Sequence, residues 1–373
     1  MIYLDNAATT MIKPLAVSRA VVNAMQTMAS PGRGGHWPAM KAAKTVFDCR
    51  AAAAQLFNVP EPEQVVFTMN ATHGLNIAIR AMAHKNTRVL VSGYEHNSVT
   101  RPLAAAGAEI HVASSGLFDD EEILDAFKRE LAWAELVVCT HVSNAFGFIL
   151  PIYEIARLCR EYGRPLIVDA SQSAGVLDVD YDRLGAAYIA MPGHKGLFGP
   201  QGTGILVCSQ PCMPLMSGGS GSDSIPQHMP DYLPDRLEAG THNVCGIAGL
   251  QAGIEYVLSR GLKDIFSHEQ MLLSAMKSGL SAVEGLELFT GERLNQSGVL
   301  SLRSEKLNCE ELASALGERG VCARSGLHCA PFAHRSAGTL ETGTLRFSFS
   351  PFNSREEIDS CCGAIKDLIY NTL

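Results

Sequence analysis

Pro165-Leu-Ile-Val-Asp169-Ala-Ser-Gln172 and Ala187-Tyr-Ile-Ala-Met-Pro-Gly-His194-Lys195-Gly-Leu-Phe-Gly-Pro-Gln-Gly-Thr-Gly204 are the stretches that decide the fold. Each opens with an apolar run of strand length; the first ends in a carboxylate, the second in a glycine-rich turn around one lysine. A continuous apolar run predicts a strand buried on both faces, the habit of parallel sheets covered by helices. Working outward, similar runs predict strands at Gln64–Thr68, Arg88–Ser92, Glu109–Ala113, Leu136–Thr140 and Gly204–Cys208, besides Leu166–Asp169 and Ala187–Ala190. Amphipathic stretches at Ala39–Phe57, Thr72–Ala83, Glu121–Leu131 and Ile152–Tyr162 are long enough to serve as crossover helices between them. The expected class is therefore α/β, a mainly parallel seven-stranded sheet. Past the loop signals at 217–222 and Pro226, Pro230 and Pro234, the pattern shifts. Helices are expected at Gly246–Arg260, Lys263–Val283 and Arg355–Tyr370, and strands at Val299–Arg303 and Thr344–Ser348, making a smaller α+β unit.

Composition narrows the function. In 373 residues, 47% hydrophobic and 18% charged, there is enough apolar chain to bury a core, which excludes a disordered protein. A formal charge of −8 repels phosphate backbones and anionic lipid, so neither nucleic acid nor a membrane is an expected partner. No apolar run reaches the ~20 residues of a membrane helix, and the opening Met1-Ile-Tyr-Leu-Asp5 has no leader-like character, so a cytoplasmic location is expected. The eleven cysteines lack framework or CxxC spacing and are expected to be mostly reduced and packed.

The chemistry gathers at strand ends. Asp169 stands where open α/β sheets place ligands, although an acid after a strand is equally at home capping a turn. A lone lysine in a glycine-rich loop is ordinarily a solvated one; held tightly and desolvated, it becomes a nucleophilic amine suited to Schiff-base chemistry. Together, Lys195 and Asp169 match the way pyridoxal 5'-phosphate is held, the lysine on its aldehyde and the acid on its pyridinium nitrogen. The Thr68-Met-Asn-Ala71-Thr72-His-Gly74 turn opens a helix whose amides and Thr72 hydroxyl suit a phosphate, or merely cap that helix. His96 follows another strand and could stack on a ring or be structural. In Arg324-Ser-Gly-Leu-His328-Cys329-Ala-Pro331, neighbouring Arg and His side chains favour a thiolate. The rival readings for Cys329 are an inert packed thiol or a metal fragment, the latter lacking further closely spaced ligands. No metal is expected.

In order along nearly the whole chain, these motifs resemble the pyridoxal-phosphate enzymes of aminotransferase class V, and within it the cysteine desulfurases and selenocysteine lyases. The anchors are Tyr3-Leu-Asp-Asn-Ala-Ala8, Asn70-Ala-Thr-His-Gly74, Glu95-His96, Thr140-His-Val-Ser-Asn144, Val168-Asp-Ala-Ser-Gln172, Gly193-His-Lys195, Glu238-Ala-Gly-Thr241, Arg324 to Cys329 and Leu345-Arg346. The resemblance implies the fold type I of these transferases, with a large domain at 15–245 and a small one of 1–14 plus 246–373, and a homodimer with its site at the interface. It assigns Lys195 to the Schiff base and proton transfer at Cα, Asp169 to the pyridinium nitrogen, Gln172 to the phenolic oxygen and His96 to the ring face. Ala71, Thr72 and His194 go to the phosphate, with Thr241 from the neighbouring subunit; Asn144, Arg346, Arg324 and Ala8 go to the substrate. Cys329 becomes the nucleophile that takes sulfur from L-cysteine as a persulfide and releases L-alanine.

Three positions depart from the family pattern: Pro192 and Ala71 remove phosphate donors, and Leu327 replaces a polar residue, often His, before the nucleophile. The short Leu327–Pro331 spacing resembles the Suf-type group, in which acceptor proteins assist turnover, and iron–sulfur cluster assembly is one expected use of the sulfur. L-Selenocysteine is an alternative substrate. Transaminases, kynureninase-like hydrolases and epimerases share the same Lys and Asp. A degenerate sulfur-acceptor scaffold is a non-enzymatic reading, but it has no chemical need for Lys195, Asp169, His96, Arg346 and Cys329 together.

Overall fold

Runs such as Leu136-Val-Val-Cys-Thr140, buried at every residue, can be satisfied only between neighbouring strands and beneath helices on both sides. A computed structural model, describing residues 1–32 and 34–371, has that arrangement. In chain order the strands are β1 (Ile2–Tyr3), β2 (Val65–Thr68), β3 (Arg88–Ser92), β4 (Glu109–Ala113), β5 (Leu136–Thr140), β6 (Leu166–Asp169), β7 (Tyr188–Pro192), β8 (Gly204–Cys208), β9 (Leu286–Phe289), β10 (Val299–Ser304), β11 (Val321–Cys322), β12 (Arg324–Gly326) and β13 (Thr344–Ser348). The helices are α1 (Leu15–Thr27), α2 (Trp37–Phe57), α3 (Ala71–Met82), α4 (Asn97–Ala106), α5 (Asp120–Glu130), α6 (Ile152–Glu161), α7 (Tyr181–Leu184), α8 (Val244–Arg260), α9 (Leu262–Leu280), α10 (Cys309–Glu318), α11 (Pro331–Ser336) and α12 (Arg355–Asn371).

Seven strands form one sheet in the order β2-β8-β7-β6-β5-β3-β4. It is parallel from β7 to β4 and antiparallel where β8 meets β7 and β2. Because β8 alone is reversed, the carboxyl ends of β2, β7, β6, β5 and β3 share one edge. Fully buried Val89, Leu90, Val91, Val137, Val138 and Ile167 each contribute about 1.5–3 kcal/mol relative to exposure. A second, antiparallel sheet has the order β12-β13-β10-β9, and β1 pairs with β11 beside it. Leu4 packs into the core of that second sheet with Leu300, Leu345, Phe347, Cys361 and Cys362.

The expected strands at Arg88–Ser92, Glu109–Ala113, Leu136–Thr140, Leu166–Asp169, Gly204–Cys208 and Thr344–Ser348 form at those residues. The one begun at Ala187 is displaced to Tyr188–Pro192. Three helices of ten or more residues had no counterpart in the pattern, nor did the short α7 and α11. In α4 an internal Pro102 hides the period. Exposed Leu15, Val22 and Met25 blur the two faces of α1. The third, α10, is marked by a capping box in which Asn308 and Glu311 satisfy each other's backbone. All eleven cysteines are free, and Cys329 is the exposed one.

Candidate active site

Four adjacent strand ends deliver four side chains to one edge. His96 lies four residues past β3, Asn144 four past β5, Asp169 is the last residue of β6, and Lys195 lies three past β7. The α3 N-terminus closes the far side. Asn70, Ala71, Thr72, His96, Asn144, Asp169, Gln172, His194 and Lys195 all line one cleft of about 480 Å³, together with Pro192 and Ser171.

The loop carrying Lys195 is tied from several sides. The Thr10 hydroxyl donates to the carbonyls of His194 (3.0 Å) and Lys195 (3.2 Å), and Phe198 N–H donates to Lys195 O at 2.9 Å. Only glycine fits at 193, where a Cβ would stand 2.2 Å from Thr203 Oγ1. Burial lowers Lys195 to about pKa 8; the Asp169 carboxylate pulls the other way, while Arg346 and Arg324 reinforce the drop. The amine is therefore within reach of its neutral form near neutral pH.

Asp169 is 2% exposed, and its Oδ1 accepts from Ser171 N–H at 2.9 Å. His96 caps α4: its Nδ1 accepts from Ser98 N–H (3.0 Å) and lies 2.8 Å from Ser98 Oγ. That bond leaves the ring proton on Nε2. Burial, opposed by Asp169 and reinforced by Lys195, brings His96 down to about pKa 4, so the ring that lines the cleft is neutral. Beneath it Glu95 ties the strand ends together, accepting from Ser92 Oγ and from Thr140 N–H at 2.8 Å. Burial raises Glu95 to about pKa 8.

The anion end is built from α3. Asn70 Oδ1 accepts from His73 N–H at 2.9 Å, while the amides of Ala71 and Thr72, the first two residues of the helix, have no partner within it. His194 Nδ1 meets Thr9 Oγ1 at 3.0 Å, and burial lowers this imidazole to about pKa 4. Gln172 donates from Nε2 to Ala7 O at 3.0 Å.

The second sheet brings two arginines into register: Arg324 on β12 stands opposite Arg346 on β13. Like charges directly across a sheet are unfavourable unless an anion lies between them. Arg346, 1% exposed, donates to Asp5 Oδ1 at 2.7 Å and to Asn144 O at 2.9 Å, and its Nε has no partner. Asn144 Oδ1 is buried and unpartnered as well, while its Nδ2 donates to His328 O at 2.7 Å. Asp5 and Ser98 carry two of these contacts, yet no motif reading assigned either a role. Asp5 is signalled only by its place inside the Tyr3–Ala8 anchor, and Ser98 only by standing two residues after His96.

Ala8, Arg324, Arg346, Cys329 and Thr241 do not line the cleft. Ala8 lies next to Ala7, whose carbonyl holds Gln172. Thr241 lines a separate cavity with Thr68, Met69 and His73. Its loop is anchored by Glu238, which pairs with Arg50 in the core and accepts from Phe67 N–H at 2.6 Å. Cys329 is joined to the cleft through backbone: Asn97 N–H, next to His96, donates to Cys329 O at 2.8 Å. The expectation that His328 lends positive charge to the thiol is overturned. Burial and the nearby Arg346 push His328 down to about pKa 2, and its ring nitrogens engage Arg324 O (3.0 Å) and His334 (3.3 Å).

The residues fit pyridoxal phosphate: an amine, a buried carboxylate, a neutral imidazole and free helix amides converge on one cleft beside buried polar atoms without partners. The comparisons agree. The aminotransferase class-V family model matches residues 2–361. A probable cysteine desulfurase of Methanothermobacter thermautotrophicus is 34% identical, over 96% of this chain and 92% of its own. A cysteine desulfurase of Synechococcus elongatus is 30% identical over 100% of this chain and 61% of its own. The apo structure of the cysteine desulfurase from Thermococcus onnurineus superimposes with a TM-score of 0.91 at 30% identity, covering 99% of this chain and 94% of that one.

Proposed function

Taking as premise that the chain belongs to the aminotransferase class-V family, among its cysteine desulfurases, we propose that it binds pyridoxal phosphate in the cleft and moves sulfur from L-cysteine to Cys329. The observation that carries this reading is the meeting of Lys195 and Asp169 on adjacent strand ends of one cleft, with neutral His96 beside them. When bound, the cofactor supplies an electron sink that makes the substrate Cα–H acidic and labilises the Cβ–S bond. Asp169 would hold its ring nitrogen, Gln172 its phenolic oxygen and His96 its ring face. Ala71, Thr72 and His194 would hold its phosphate, with Thr241 reaching in from a second copy.

Lys195 Nζ, able to shed its proton near neutral pH, takes the Cα proton and returns it later. Arg346 and Arg324, facing each other across the sheet, receive the substrate carboxylate with Asn144 and the Ala8 segment. The Cys329 thiolate then forms an S–S bond to the substrate sulfur as the Cβ–S bond breaks. Cβ takes a proton to complete the methyl group of alanine, and a thiol or acceptor protein removes the persulfide sulfur.

A homodimer is part of the proposal, supported by the large apolar side chains left exposed near the N-terminus: Met11, Ile12, Leu15, Val22, Met25, Trp37, Met40 and Phe47. A cytoplasmic setting is supported by eleven free cysteines. Of the two lobes, 15–245 and 1–14 with 246–373, we propose one adjustment. Helix α8 goes with the large lobe, because Val244, Ile247, Leu250 and Ile254 pack into the core beneath the seven-stranded sheet.

The test is to incubate cofactor-loaded protein with L-cysteine and, separately, L-selenocysteine, and to quantify alanine with Cys329→Ala alongside. Alanine from L-cysteine that disappears in the variant is expected. Alanine from selenocysteine alone makes the protein a lyase, and alanine from neither overturns the proposal.

A further inference from the structure

The turn that carries Cys329 has an unusual backbone. His328 (φ 51°) and Cys329 (φ 57°) are both left-handed, a conformation that residues with a Cβ rarely adopt and almost never in succession. Something must hold it there. Two bonds do so directly: Asn144 Nδ2 on His328 O, and Asn97 N–H on Cys329 O.

A third hold runs through side chains, and its direction follows from chemistry. His328 Nε2 lies 3.0 Å from Arg324 O, which can only accept, so Nε2 carries the proton. Burial keeps His328 uncharged, leaving Nδ1 as an acceptor. The atom 3.3 Å away, His334 Nε2, must then donate. His334 is likewise uncharged through burial, so its Nδ1 accepts from Thr339 Oγ1 at 2.8 Å. The protons thus run one way, from Thr339 through His334 and His328 to Arg324 O. All three side chains are buried, and the two imidazoles lie edge to edge and nearly coplanar, with 18° between their planes and centroids 5.5 Å apart.

We infer that His334 is a positioning residue for Cys329, locking through His328 the left-handed turn that presents the thiol. The inference rests on the reading of Cys329 as nucleophile. His334 touches neither the cleft lining nor the thiol; it acts through His328. Without it, the His328 ring loses one of its two anchors and the strained turn is free to relax. A displaced nucleophile lowers the rate of sulfur transfer more than it weakens substrate binding, because the guanidinium groups proposed for the carboxylate are mounted on the paired strands β12 and β13, outside the turn.

The experiment uses the cofactor-loaded full chain in three variants. His334→Leu removes both bonds, Thr339→Val removes the donor to His334, and His334→Gln keeps a donor toward His328. In His334→Leu, kcat for alanine formation is expected to fall about tenfold with KM within about twofold. His334→Gln should recover most of that loss, and Thr339→Val should lose about two- to threefold. The second readout is amide hydrogen exchange at Asn97 and Ala330, whose N–H groups bond Cys329 O and Leu327 O. Both should lose protection in His334→Leu and Thr339→Val while the sheet strands keep theirs. Wild-type kcat with wild-type protection at these two amides, in either folded variant, overturns the inference. Should His334→Leu not fold, Thr339→Val and His334→Gln decide alone. Full activity in Cys329→Ala would sink the nucleophile reading instead, an outcome the exchange data distinguish from an intact or broken lock.

Discussion

In the proposed mechanism Lys195 and Cys329 are the two nucleophiles, and their surroundings are opposite. Lys195 sits inside a cleft at the edge of a seven-stranded sheet, its charge disfavoured by burial and by two arginines. Cys329 is exposed on a turn three residues beyond a short edge strand of the smaller sheet, and its neighbouring histidine is uncharged and turned away toward Arg324 and His334. The lysine is tuned by its electrostatic environment; the cysteine is placed by its backbone. The difference fits the proposed roles: one would exchange a proton inside the cleft, the other would accept a sulfur and then hand it outward.

The comparison can be broken most directly at its two centres. Lys195→Ala should lower alanine formation by about 10³-fold or more, read with a discontinuous amino-acid assay. Cys329→Ala should lower it by about 10²-fold or more while still binding cofactor, seen as retained visible absorbance. Residual yellow colour with unchanged turnover would show that Cys329 is dispensable.

A smaller effect tests the arginine pair. Arg346→Lys keeps the charge but not the fork, and should raise KM for L-cysteine about tenfold. The electrostatic tuning of Lys195 predicts a pH dependence. With its pKa lowered to about 8, the neutral amine grows as pH rises toward that value, so pyridoxal phosphate should load onto the cofactor-free protein faster from about pH 6 to pH 8 and level off above. An ordinary lysine would keep accelerating to about pH 10. The smallest effect concerns Glu95, whose pKa rises from 4.5 to about 8 in the fold. The folded state then holds a proton that the unfolded chain releases, so wild-type stability falls as pH climbs through that window. Glu95→Gln has no such proton to lose, and its Tm should gain on wild type by a few °C between about pH 5 and pH 8.5.

Much of this was legible without coordinates because burial on both faces forces apolar runs, which mark β3, β5 and β6 to the residue. His96, Asp169 and Lys195 could be picked out from the strand runs they follow or end, Asn144 only from the family resemblance. Register could not: that Arg324 faces Arg346 depends on the pairing of β12 with β13 across the seventeen residues 327–343. Charge state was also hidden. His328 reads as a cation beside a thiol until its burial is known. The proton chain through His334 and Thr339 spans the last turn of α11 and the loop after it, a spacing with no recurrent signature. Helix α4 was obscured by Pro102, yet its first turn organises the site.

That first turn has a mechanical consequence. His96 caps α4, and the next residue, Asn97, holds the Cys329 carbonyl. The imidazole inside the cleft and the thiol at the surface are thus mounted on a common pivot, geared so that a tilt of one end of α4 is felt at both. A protein seated over the exposed cysteine would have a handle on the interior that needs no other moving part.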